Sequence, residues 1–468
     1  KTVTIFAQAW HAIFTSTLQS SRHCRMESAS LIKPEILPTE AIPLTNYDLE
    51  QWYFGPISHA VFLNGHPNQD ELRGALVRVI EKNPIIAGRF RLKPRFPAWL
   101  RSPRLELHYD MTCGVPFVVK PMAPDLESEF AEFSSAAIAQ NQLGYGRAMD
   151  KLKFISAVHG PRDGPVFAVT YFPGSQRSIL ILSQSHVLAD GGSFWALLRC
   201  FDQEFNEPGS SESLSGRDEV DKAIGDMRCR STMLSRVAQK LFMPRMFWMR
   251  VFFRMRKHIA DYHVVTVTLR HEHLLKIKEQ AMTKFKCQKD LMISAQDALF
   301  WRIAEAVNPT PSFYMFSVNL RGKFSIPADS LANAWALWIG RPAAQELEPS
   351  DIRRSIYAMG ANCNLTLMQA LFTQLDDMLY INSQVKGTHL ASFRGSAYQQ
   401  VRAYTTWDIL CLAAFPIHLI HSVRQGEVCI FHAGLQEKQV TSLLAMWRSL
   451  DADIAIGAVA SADILKKL

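Results

Sequence analysis

His186-Val187-Leu188-Ala189-Asp190-Gly191 sets an imidazole and a carboxylate four residues apart, and a second glycine, Gly192, follows. Histidine's ordinary pKa lies close to neutral pH, so an imidazole held out into a cleft suits a general base. Directly upstream, Ser178-Ile179-Leu180-Ile181-Leu182 reads as a buried strand, and Ser193–Phe205 downstream reads as a helix. A strand, turn and helix of this kind would present His186 outward while Asp190 folds back into the protein. The same residues also fit a plain turn histidine followed by a helix-capping aspartate, and their spacing alone does not separate the two readings.

Around this motif the chain alternates strands and helices. Ile57–Leu63 reads as a strand. Asp70 then opens a helix with Leu72, Leu76, Val79 and Ile80 at helical spacing, closed by Asn83-Pro84. Extended segments run from Gly88 to Val119, a helix is expected over Glu127–Ala139, and strands over Phe154–Val158 and Val166–Phe172. Residues 206–235 are rich in Ser, Gly and charge and read as a surface loop at a domain boundary. Beyond it come a strand at Tyr262–Leu269, helices at Glu272–Met282 and Ser294–Val307, and a strand at Phe313–Leu320 ending on Arg321. A helix near Met368–Leu379, a strand near Val428–Ala433 and a helix near Lys438–Leu450 complete the pattern.

The 468 residues, 48% apolar and 20% charged, describe a globular protein large enough for two domains. The divisions expected are an extension or disordered segment at 1–25, a first domain at 26–205, a crossover at 206–260 and a second domain at 261–468. Residues 1–25 hold no acidic residue and precede Met26, which fits an extension ahead of the natural start. A net charge of +8 is modest for this length, and no basic run is interleaved with aromatics as a nucleic-acid surface would require. A basic cleft for a phosphorylated or CoA-type ligand accounts for the excess equally well.

Eight widely spaced cysteines form no CxxC, so neither a disulfide framework nor a zinc site is expected, and a reducing, cytoplasmic setting is favoured. His271-Glu272-His273 lacks the spacing of HExxH, and no metal is expected. GxGxxG and P-loop patterns are absent. Residues 244–258 contain no acid and would place Arg250, Arg254 and Lys257 on one helical face. That segment fits an inter-domain crossover with a solvated basic side; peripheral contact with an anionic membrane is the sharper alternative.

Taken in order, PIIAGRF (Pro84–Phe90), HVLADG (His186–Gly191), DALFWR (Asp297–Arg302), VNLR (Val318–Arg321), ANA (Ala332–Ala334) and TTW (Thr405–Trp407) resemble the BAHD acyltransferase superfamily, closest to its fungal trichothecene acetyltransferase-like branch. The resemblance spans roughly residues 40–460. It implies an α/β fold of two chloramphenicol-acetyltransferase-like domains, with mixed sheets flanked by helices and a channel between them. It further implies that His186 takes a proton from an acceptor hydroxyl or amine, which then attacks an acyl-CoA cosubstrate without a covalent acyl-enzyme. Asp190 and Gly191 become supports of the site, Asp190 through an ion pair with Arg321. Thr405 and Trp407 would line the channel and stabilise an oxyanion, Asn333 would match the family's G-N step, and Lys289 would touch the CoA phosphates.

The sequence departs from this pattern at the family's D-F-G-W-G element, where Cys411–His418 reads CLAAFPIH. His418 there is either a new polar group or a core histidine. Ser185 replaces the second histidine common in condensation domains, which favours a stand-alone transferase. The expected function is O-acylation of a secondary metabolite by a monomer. Its rivals are a same-fold protein that binds a polyketide or terpenoid and promotes a cyclisation or rearrangement, and a degenerate binding protein.

Overall fold

The computed structural model describes residues 29–458, leaving out 46–47, 49–50, 52–55, 94–103, 132–150, 156–161, 230–262, 286–292, 312, 324, 341–346, 358–377, 386–387 and 404–416. In chain order the first part carries β1 (Ala29–Ile32), β2 (Glu40–Pro43), β3 (Ile57–Asn64), α1 (Gln69–Lys82), β4 (Arg89–Lys93), β5 (Arg104–Tyr109), β6 (Val115–Val119), α2 (Pro124–Ala131), β7 (Arg162–Pro165), β8 (Phe167–Pro173), β9 (Arg177–Gln184), α3 (Gly191–Asn206) and α4 (Arg217–Cys229). The second carries β10 (His263–Arg270), α5 (His271–Phe285), α6 (Ala295–Val307), β11 (Phe313–Asn319), β12 (Trp335–Gly340), α7 (Pro349–Tyr357), β13 (Met378–Ser383), β14 (Ala397–Arg402), β15 (Ile417–Arg424), β16 (Glu427–Leu435), α8 (Glu437–Arg448) and β17 (Asp453–Ala458).

These strands form two mixed sheets and one small antiparallel sheet. The first runs β1-β6-β8-β9-β3-β14, the second β12-β11-β13-β15-β16-β10-β17, and the third β2-β5-β4-β7. Strands β9 and β3 lie inside the first sheet and are buried on both faces, which explains why their apolar runs are nearly continuous. Helices α1 and α3 cover one face. Asn68 caps α1 by accepting from Asp70 N, and Leu72, Leu76, Val79 and Ile80 pack beneath it. On the second sheet, α5, α6 and α8 cover Val267, Ile430 and Leu379 with Ile277, Ile303 and Leu443.

Strand β14 comes from the second part of the chain yet pairs antiparallel with β3 of the first sheet, placing Arg402 opposite His59. The far face of the first sheet, with Ala60, Phe62, Ile179 and Ile181, packs together with Val423 of β15 and Cys429 of β16. The two halves therefore share a core.

Three local expectations are corrected. Residues 206–235 hold α4, whose Val220 and Ile224, one turn apart, bury against Leu320, Ile326 and Ala334; the charged residues between them hide this narrow stripe. Residues 154–155 take no strand conformation. Leu379 lies in β13, which runs parallel between β11 and β15, and Leu379 and Ile381 are buried at the period of two that a strand requires. Among the described residues, no helix is long and apolar enough to cross a membrane.

Candidate active site

Strand β9 delivers the chain to His186, and a short hydrogen-bonded turn holds it there. Ser185 N donates to Val166 O, in the bend between β7 and β8, at 2.8 Å, and Leu188 N donates to Ser185 O at 3.1 Å. Gln184 Nε2 donates to Ala189 O at 2.8 Å, tying the far side of the turn back to the strand. Asp190 then caps α3, its Oδ1 accepting from Ser193 N at 2.9 Å.

Asp190 is also the ion-pair partner of Arg321. Arg321 Nη2 donates to Asp190 Oδ1 at 2.8 Å and Nη1 donates to Oδ2 at 2.9 Å, with each side chain only 6% exposed. The capping and ion-pair readings of Asp190 both hold, because its oxygens serve both partners. Arg321 Nη2 further donates to Ser193 Oγ at 2.6 Å and to the carbonyls of Ser330 and Ala332 at 3.0 and 2.9 Å. One guanidinium thus joins the end of β11, the start of α3 and the loop before β12.

The paired glycines make this approach possible. A Cβ on Gly192 would stand 2.5 Å from Arg321 Nη1, and one on Gly191 would stand 2.7 Å from Gln384 Nε2. At Gly191 the missing side chain lets Gln384 of the second half pack close.

Burial lowers the pKa of His186 from its ordinary value to about 4. Arg402 pushes in the same direction, while Asp190, the residue's own carbonyl and the Asn333 amide oppose it. His186 is therefore neutral at pH 7. Its ring centroid lies 6.4 Å from that of Trp335, whose Nε1 donates to Gln51 Oε1 at 3.1 Å. Arg402 also acts on His59 and His421: burial, and then this guanidinium, hold both imidazoles well below the usual range. The rings of His59 and His421 lie 6.5 Å apart.

The structure thus brings together His186, Asp190, Gly191 and Arg321, and places Asn333 beside them. Thr405, Trp407, Lys289 and the basic segment 244–258 lie outside the described residues, as does the stretch 411–416. Asp48, Gln51, Arg217, Trp335 and Arg402 also reach this region and were not singled out in sequence. Asp48 and Arg217 sit in polar stretches with no chemical spacing, and Trp335 and Arg402 end or begin ordinary strands. Among the described residues, no group of three or more His, Cys, Asp or Glu side chains is placed to hold a metal ion.

His418 is a core histidine. It is fully buried, and its Nδ1 lies 2.6 Å from Nδ1 of His432, directly opposite on β16. Burial takes His418 down to about 3 and His432 well below its ordinary value. Both rings stay neutral in the fold but would protonate below about pH 6.5 in the unfolded chain. The unfolded state therefore binds more protons, and each ring removes stability as the pH falls from about 6.5, reaching about 2 kcal/mol by pH 5. Both Nε2 atoms are buried without a hydrogen bond, so His418→Leu/His432→Leu should be well tolerated at pH 7.5. Urea unfolding at pH 7.5 and pH 5 is expected to show the double variant losing several kcal/mol less than the parent; equal losses would mean the pair is hydrated.

No protein-family model and no curated protein matches the chain. Solved structures do. TRI101 from F. graminearum, complexed with ethyl coenzyme A, superposes with a TM-score of 0.58 at 13% identity, covering 90% of this chain and 100% of that one. The chain has the fold of that structure, a mixed α/β arrangement. Vinorine synthase is similar with a TM-score of 0.56 at 13% identity, covering 90% of this chain and 97% of its own. Polyketide synthase associated protein 5 from Mycobacterium tuberculosis gives 0.53 at 12%, covering 88% and 98%. The two mixed sheets, together with β14 added from the second half, are the framework that holds the HxxxD turn in this chain.

Proposed function

We propose that the protein is an acyl-CoA-dependent O-acyltransferase acting on a hydroxyl of a secondary metabolite, with His186 as the general base. The observation that carries this reading is the state of His186: a neutral imidazole on a turn locked from behind by Asp190 and Arg321. Nδ1 of His186 is buried, so Nε2 is the nitrogen proposed to accept the proton.

In this reaction Nε2 takes the acceptor's hydroxyl proton as the oxygen attacks the thioester carbonyl. The tetrahedral intermediate then collapses, the C–S bond breaks, and the imidazolium returns its proton to the departing CoA sulfur. Thr405 and Trp407 are proposed to donate to the oxyanion, and Lys289 to contact the CoA phosphates. F. graminearum TRI101 has been crystallised with coenzyme A and T-2 mycotoxin, which supports a CoA donor and a small-molecule acceptor here.

The test is thiol release from a panel of acyl-CoAs with candidate alcohols, followed by the pH dependence of kcat/KM for the best pair. Thioester should be consumed only with an acceptor present. Because the base is held near 4, the rate should stay flat down to about pH 5 and fall with an apparent pKa near 4. Rearrangement of the small molecule without thioester consumption would defeat the proposal.

A further inference from the structure

We propose that Asn333 and Asp48 form the positioning chain of His186: Asp48 fixes the Asn333 amide, and Asn333 sets the orientation and tautomer of the imidazole. This inference rests on the assignment of His186 as the base.

A base needs an orienting partner, and Asp190 is not available for that role. Both of its oxygens are committed to Arg321, and one also accepts from Ser193 N. Asn333 is 1% exposed, and its Nδ2 donates to Asp48 Oδ1 at 2.9 Å and to Val187 O at 3.3 Å. With both amide hydrogens committed, the side chain cannot flip, and Oδ1 must be the atom left to accept. That oxygen is buried without a hydrogen bond of full geometry, while the Asn333 amide favours the protonated form of His186. A small rotation of the ring, or its gain of a proton, would complete the bond. An amide acceptor orients the imidazole without adding a negative charge that would keep it protonated at rest.

Asp48 is itself held from three directions. Its Oδ2 accepts from Arg217 Nη2 at 2.7 Å, from Thr45 N at 3.0 Å and from Thr45 Oγ1 at 2.8 Å. Arg217 Nη1 donates to Leu188 O at 3.0 Å. The carbonyls of Val187 and Leu188, directly after the base, are therefore both taken by this network. It is a second grip on the turn, supplied by the segment before β3, by α4 and by the loop before β12. Asp221 on α4 lies within electrostatic reach of Asp48 and Arg217, but nothing ties it to His186.

The experiment uses the full chain labelled with 15N-histidine, reading the imidazole nitrogens by long-range proton–nitrogen correlation at pH 7.5. The His186 signals are those lost in His186→Gln. The parent is expected to be mainly Nδ1–H. Asn333→Ala, with melting behaviour recorded in parallel, is expected to lower the Nδ1–H to Nε2–H ratio roughly three- to tenfold. Should that variant fail to fold, Asp48→Asn keeps the volume but removes the charge that holds Arg217, and about a twofold shift is expected. An unchanged ratio in whichever variant is folded overturns the proposal.

Activity gives a second arm. Adding Asn333→Ala to His186→Ala should cost no further rate of thioester consumption, because the group it positions is gone; a further loss would assign Asn333 a merely structural role. Full transfer activity in His186→Ala would instead defeat the base assignment and leave the tautomer result intact.

Discussion

Arg321→Ala is expected to lower the unfolding free energy by about 3–5 kcal/mol, the cost of leaving a buried carboxylate without its counter-charge. Asp190 would keep only its capping bond from Ser193 N, and the Ser330 and Ala332 carbonyls would lose their shared donor. Water cannot easily replace a guanidinium in this position, since each partner is only 6% exposed. Replacing both partners, as in Asp190→Asn/Arg321→Met, should cost less than Arg321→Ala alone, because no unpaired charge is left inside. Urea unfolding of the two proteins with the parent gives the ordering. A loss below about 1 kcal/mol in Arg321→Ala would be the value of a solvated surface pair and would contradict the geometry.

His186→Ala is expected to reduce kcat/KM by about 10²–10⁴, the usual worth of a positioned general base, with little change in folding. His186 lies beyond the end of β9, and the turn is held by Gln184, Ser185, Asp190 and Arg217. Removal should therefore act on the chemical step and spare the melting temperature. Thiol release with the best donor and acceptor pair measures the first; thermal unfolding measures the second. A variant retaining half of the parental rate would show that proton removal is done elsewhere. The two substitutions separate the roles within one motif: Arg321→Ala acts on the fold first, and His186→Ala on the reaction.

The HxxxD turn was legible in sequence because three independent signals coincide there. The apolar run of β9, the capping residue Asp190 and two glycines together define a strand, a turn and a helix. Arg321 was legible only through its place in an ordered set of motifs, since nothing about one arginine after a strand announces a partner on the far half of the chain. The second grip was hidden for a different reason. Asp48, Arg217 and Asn333 are contributed by three distant segments, and their meaning lies in a juxtaposition that spacing does not encode. Helix α4 was concealed by composition: among its described residues Val220 and Ile224 mark the buried face between acidic and basic neighbours. His418 read either as a new polar group or as a core histidine, and the β register that sets it against His432 in the core decides between them.

Strand β14 has a consequence for the order in which this protein can be made. The sheet that presents His186 ends at β3 until residues 397–402 arrive and pair with it. During synthesis the nascent first half must therefore wait with an open, apolar sheet edge while the whole intervening segment leaves the ribosome. Such an edge is a template for pairing with other chains. The sheet that presents His186 is closed only after β13 has been made, by a strand from the second part of the chain.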